Sequence, residues 1–132
     1  MLYDEAVVRR TLSPAVRTNG TGTGAAVNLA AYNADSAIVA VITGAVTDGS
    51  HAVSVQDSDD GATGWANVPA GRLTGTPPTI TSAGSDTQFE IGVQAARDYL
   101  RVSVTTTGAT TGGLIAAVVV AGDPGSSPIS HA

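Results

Sequence analysis

Along residues 97–122, apolar and polar side chains follow two different rules. Leu100, Val102 and Val104 alternate with Arg101, Ser103 and Thr105, the period-two pattern of a strand with one buried face. Leu114 to Ala121 is apolar throughout. A continuous run of about eight residues bounded by glycines fits a strand covered on both sides. A buried helix competes, but Val118, Val119 and Val120 in a row, behind Gly112 and Gly113, favour the strand. Between the two runs, Thr106 to Gly113 holds only Thr and Gly apart from Ala109, so it turns and does not pack a core. The stretch reads as a β-hairpin that other strands must cover.

The remaining pattern is of the same kind. Val27 and Leu29 alternate with Asn28 within Ala25 to Ala31, and Ala37 to Thr43 is a buried apolar run. Thr47-Asp48-Gly49-Ser50 then carries Asp-Gly at its centre, before Val53 and Val55 alternate again up to Gln56. Asp-Gly between two such runs predicts a second hairpin over Ala37 to Gln56. Thr87 to Val93 is a further strand with Phe89 and Ile91 inward, and Gln94 to Asp98 has room for one helical turn. Short strands recur about eight times at intervals of roughly 10–15 residues, which predicts an all-β domain: a β-sandwich (jelly-roll or Ig-like) or a barrel-like closure.

Three stretches fall outside this rhythm. Met1 to Gly24 reads as an extended arm: a short apolar run at Ala6 to Val8, then Arg9, Arg10 and Ser13-Pro14, then Asn19 to Gly24 with every other residue Gly. Such an arm orders on a neighbouring subunit, with Val7 as apolar contact and Arg9, Arg10 and Arg17 as polar anchors. Ala70 to Asp86 is the longest irregular stretch, with extended backbone enforced at Pro77-Pro78. Loops of that length bind or bridge, which makes Arg72, Leu73, Pro77 and Pro78 a second set of contact residues. Residues 123–132 read as a polar tail. The expected division is an arm at 1–24, a β-domain at 25–122 and the tail.

Composition sharpens this. At 132 residues the chain is one domain by length, large enough to build a core unaided. It has no cysteine, so disulfides and thiolate metal sites are excluded. A net charge of −5 argues against nucleic acid or an anionic membrane as partner. The first ten residues carry acids ahead of any apolar run, unlike a secretory signal, and no apolar stretch approaches the ~20 residues of a spanning helix. The expectation is a soluble protein. Only 13% of residues are charged, against about a quarter in typical soluble domains. Either the surface is a neutral, Thr- and Ser-rich one, or part of it is covered by other subunits.

Candidate chemistry is sparse. His51 and His131 are the only histidines, with no acid at helical ligand spacing from either. A nucleophilic triad would combine His51 with Ser54 and Asp57, which strand alternation sends to different faces, and no nucleophile elbow is present. Residues 57–65, DSDDGATGW, admit three readings. A calcium loop lacks its closing Glu, since position 68 is Val. An Asp-box turn matches at Asp59, Gly61 and Thr63 but has Gly64 before Trp65. A plain turn with an exposed acidic tip fits best, where raised carboxylate pKa values are not expected. The residues predict no enzyme, no cofactor and no metal.

One resemblance spans most of the chain. Arg17-Thr18 with the Gly-Thr-Gly run, Val41 to Gly49, Val53 to Gln56 with Ser58 to Gly61 and Trp65, Arg97 to Val102 and Ala117 to Gly122 together resemble small structural proteins of tailed-phage heads. The resemblance implies a capsid decoration (cement) protein: a β-sandwich, often a homotrimer, seated on the outside of an HK97-type shell. The implied partner is the major capsid protein of the same phage, and the implied location is the virion, after synthesis in the host bacterial cytoplasm. The chain departs from the group at Asp123-Pro124-Gly125, where basic residues are expected, so the resemblance does not extend to a tail that grips the shell. Two rivals remain at this point: a tail-tube or tail-tip β-domain, and a carbohydrate-binding sandwich using Trp65 and the acidic turn.

Overall fold

A computed structural model of the chain describes residues 2–32, 34–94 and 97–124. A four-residue helix, α1 (Leu2–Glu5), precedes eleven strands: β1 (Val7–Arg17), β2 (Gly20–Thr23), β3 (Val27–Asn28), β4 (Ala34–Val46), β5 (Ser50–Ser58), β6 (Ala66–Asn67), β7 (Leu73–Thr74), β8 (Thr79–Ile80), β9 (Gln88–Gln94), β10 (Tyr99–Thr107) and β11 (Gly113–Pro124). They form two antiparallel sheets without barrel closure, so the domain is an all-β sandwich. One sheet has the order β1-β11-β4-β9-β7; the other has β2-β10-β5-β6, with β3 also on β10 and β8 also on β5.

Alternation puts every second side chain of the four central strands between the sheets. Leu100, Val102 and Val104 of β10 and Val53 and Val55 of β5 meet Ile115, Ala117 and Val119 of β11 and Val39 and Val41 of β4. Burying each Val, Leu or Ile side chain contributes about 1.5–3 kcal/mol, and the β-branched Val and Ile suit the extended backbone.

The two predicted hairpins are corrected. β10 pairs with β5, and β11 pairs with β4. The β4–β5 and β10–β11 turns therefore each cross from one sheet to the other. Reversal chemistry is the same in both cases: Gly49 and Gly112 take φ of 92° and 93°, a region that glycine alone enters cheaply. A turn dipeptide reports only that the chain reverses. Whether the strands lie side by side or face to face depends on where each finds an apolar partner.

The predicted arm is corrected as well. β1 pairs with β11 from Val7↔Ala121 to Arg17↔Gly113, with irregularities on either side of Leu12. β2 pairs with β10 from Ser103↔Thr23 to Thr106↔Gly20. Val7 and Leu12 are core residues. Thr11 bridges the sheets at this edge: its hydroxyl donates to the Ala25 carbonyl at 2.7 Å and accepts the Val102 N–H at 3.2 Å. Pro14 is tolerated because β1 is an edge strand. The Gly-Thr alternation of Gly20 to Thr23 forms β2, because two backbones in register need no side-chain core. Removing residues 1–24 therefore takes away an edge strand and part of the core.

Other boundaries move less. Val27–Asn28 is a two-residue strand followed by a 3-10 turn at Ala30–Tyr32, and the long loop contains 3-10 turns at Ala70–Arg72 and Ser82–Gly84 besides β7 and β8. β11 continues through Pro124, so the expected tail begins inside a strand. Its remainder, with His131, and the centre of the expected turn at Gln94–Asp98 lie outside the described residues.

Candidate functional site

The outer faces of the two sheets differ in chemistry. On the β10–β5 sheet the outward residues include Arg101, Gln56, Ser54, Thr105 and Thr21, a polar surface laced together by side chains. Arg101 Nε–H donates to Gln56 at 2.9 Å, and its guanidinium lies 4.1 Å from the centre of the Trp65 ring.

The β1–β11–β4 face is apolar. The register lays its outward residues in rows across the sheet: Val8, Val120, Ile38 and Gly92 in one, Arg10, Val118, Ala40 and Glu90 in the next, then Ala116, Ile42 and Gln88. Val8, Val16, Ile38, Ile42 and Leu114 are all exposed. This is why Leu114 to Ala121 reads apolar on both sides: one set of side chains enters the core, and the other forms this face. At one end is a groove of about 430 Å³ whose lining includes Arg10, Pro14, Ile42, Leu114, Ala116 and Val118. At the other end α1 stands over Val120 and Ile38 with Leu2 75% and Tyr3 62% exposed. A contiguous exposed apolar face on a protein this short of charge is the candidate interaction surface.

Side chains that looked chemical serve the fold. His51 is fully buried. Its Nε2 lies 3.0 Å from the Asp48 carbonyl, which can only accept, so Nε2–H donates there. In that tautomer Nδ1 accepts the Thr106 hydroxyl at 2.8 Å. Asp57 is not part of an exposed acidic tip. It faces inward at the end of β5 with its side chain 2% exposed, ion-paired to Arg97 at 3.0 Å and Arg72 at 3.1 Å. The charge is tolerated because it is compensated from two sides. Arg97 also donates to the Asp57 and Gly64 carbonyls, closing the 58–65 turn; Asp57 holds its guanidinium pKa above the usual value. Asp60 faces its own loop, accepting N–H donors from Thr63 and Ala62 and the Thr63 hydroxyl. These donors hold its carboxyl well below the usual carboxylate range. Among the described residues no group of three or more His, Cys, Asp or Glu side chains is placed to hold a metal ion.

The expected contact residues scatter. Val7 is buried in the core and presents nothing to a partner. Arg9 stacks over Tyr32 at 5.0 Å and donates to its hydroxyl at 2.7 Å. Arg17 lies back along β11, donating to the Ile115 carbonyl at 3.2 Å and to that of Ser13. Arg72 is turned to Asp57. Leu73 packs against the core from β7, and Pro77 and Pro78 are half-buried. Arg10 alone of the eight stands exposed on the apolar face. The sequence signal for that face was already in the chain: outward positions of β11 and β4 are aliphatic where a solvated face would alternate to polar.

The fold defines the class, a two-sheet antiparallel sandwich with one apolar outer face. No protein-family model matches the chain, and no curated protein matches it.

Proposed function

We propose that this protein is a non-enzymatic structural subunit of a phage virion that decorates and stabilises the outside of an HK97-type capsid, as an oligomer bridging capsomers. The observation that carries the reading is the apolar outer face of the β1–β11–β4 sheet beside a polar outer face on the other sheet. That asymmetry suits a subunit with one side covered by neighbours and one side wet. The buried histidine and the ion-paired aspartate are spent on the fold, which also favours a structural role. The identity of the assembly comes from the sequence resemblance, and the partner it implies is the major capsid protein of the same phage. Many modest contacts repeated over a lattice hold well even when each is weak.

Co-sedimentation of the purified protein with cognate mature capsids, followed by imaging of the particles, tests this. Saturable binding with regularly spaced protrusions is expected. A folded protein that leaves capsids bare would overturn the reading, and ring-shaped oligomers beside bare capsids would point to a tail component. Trp65 gives the carbohydrate alternative little support, since Arg101 occupies one face of its ring.

A further inference from the structure

The apolar face carries a knob and a hole at opposite ends, and we infer that they belong together: the Leu2–Glu5 segment of one copy docks in the Arg10–Ile42–Leu114 groove of a second copy. The knob is α1, whose Leu2 and Tyr3 are the two most exposed large apolar side chains among the described residues. It stands over Gly122, Val120 and Ile38; a Cβ placed on Gly122 would lie 3.6 Å from the Glu5 carbonyl oxygen. The hole lies toward the Leu114 end. Its floor is the short Ala116 and neighbouring Val118, with Arg10 and Pro14 on the β1 side and Ile42 on the β4 side.

From Val120 to Leu114 is six residues of strand, about 20 Å at ~3.3 Å each, so the hook as it stands does not fill its own groove. Two observations favour a second copy as occupant. The knob offers an aliphatic and an aromatic side chain to a hole lined chiefly by aliphatic ones, the composition of an interface core. Charge matches at the edge: exposed Glu5 adjoins the knob and exposed Arg10 rims the hole. The three strands of the apolar face, ~4.8 Å apart and about eight residues long, present about 400 Å² before side-chain relief; the hook adds to that, toward the roughly 800 Å² per partner of a stable contact. Hook to groove is a heterologous contact, so it closes as a reciprocal pair or as a ring.

The inference rests on the proposed function only in using the same face, and its test reads mass instead of capsid binding. Sedimentation equilibrium of the full chain at about 1–100 μM should show a closed oligomer. The double variant Leu2→Asp/Tyr3→Ser and the groove variant Ala116→Arg should each weaken association by about 100-fold, with circular dichroism unchanged. Should Ala116→Arg misfold, Ile42→Glu tests the same groove. Mixing the hook variant with the groove variant should restore association in part, as an open pair held by the one intact hook in the one intact groove. A wild-type monomer at the highest concentration, an oligomer that both variants leave intact, or a mixture that stays monomeric would sink the inference. Capsids decorated by a monomeric hook variant would retain capsid decoration without this contact or the oligomer; self-association with bare capsids would retain the contact without that function.

Discussion

Asp48, in the turn between β4 and β5, holds Gly112, in the turn between β10 and β11: an oxygen of its carboxylate accepts the Gly112 N–H at 2.7 Å. The same carboxylate accepts the N–H groups of Thr110 and Thr111. Two sheet-crossing turns that are distant in sequence are thereby joined by one side chain, and the buried His51 ring sits beneath them on the Asp48 carbonyl.

Replacing Asp48 with Ala should loosen the second turn while leaving the sandwich folded. The expected result is a lower melting temperature, with faster hydrogen exchange at the amides of 110–112 than elsewhere. Unchanged exchange at those amides would show that the turn holds itself.

Acid should act through the same group and through Asp60. Backbone donors, led by Gly112 for Asp48 and by Thr63 for Asp60, hold both carboxyls below the usual value. A group depressed in the folded state stabilises above its unfolded pKa, about 3.9 for Asp, and loses that contribution as pH falls through the folded value. Stability measured by urea unfolding should thus be flat above about pH 5 on account of these groups and fall below about pH 4. The Asp48→Asn variant should show a shallower fall; an identical pH profile would remove Asp48 from the account.

Arg97→Ala leaves the inward-facing Asp57 carboxylate with Arg72 as its remaining ion-pair partner. Halving the compensation of this buried carboxylate lowers stability, readable as a lower urea midpoint. The double variant Arg97→Ala/Asp57→Asn should recover part of that loss, because the half-compensated charge is gone. Strict additivity of the two changes would mean that the pair is not coupled.

Gly112→Ala should be among the most damaging single changes. Its φ of 93° is strained for any side chain, and a Cβ there would collide with the Arg17 carbonyl of β1. A loss of about 2–4 kcal/mol is expected, whereas Gly108→Ala, with φ of 67° and open space around it, should cost less. Equal losses at the two positions would count against the collision.

Truncation separates hook from sheet. Removing residues 1–24 should abolish cooperative unfolding, because Val7, Leu12 and the Thr11 bridge leave with them. Removing residues 1–5 should leave a cooperative melt. A folded 1–24 deletion would return the segment to the status of an arm.

Much of this molecule is written locally. Alternation at Leu100 to Thr105, the aliphatic run at Leu114 to Ala121 and the turn at Asp48-Gly49 are short-range facts, and they determine strands, reversals and an all-β domain, since side chains two apart share a face whatever the strand pairs with. Strand partners are another matter. The β10–β11 stretch was legible as two strands and a turn, but not as a crossing between sheets, because hairpins and crossings use the same turn chemistry. The pairings of β1 with β11 and β2 with β10 are decided by contacts about 80–115 residues apart, beyond any local pattern. Arg17, Arg72 and Asp57 looked like surface chemistry because charge usually lies outside; only the folded chain brings Arg72 and Arg97 to the two sides of one buried carboxylate. The apolar outer face divides the same way: its residues were visible as the second half of an all-apolar run, while packing alone decided which half was left uncovered.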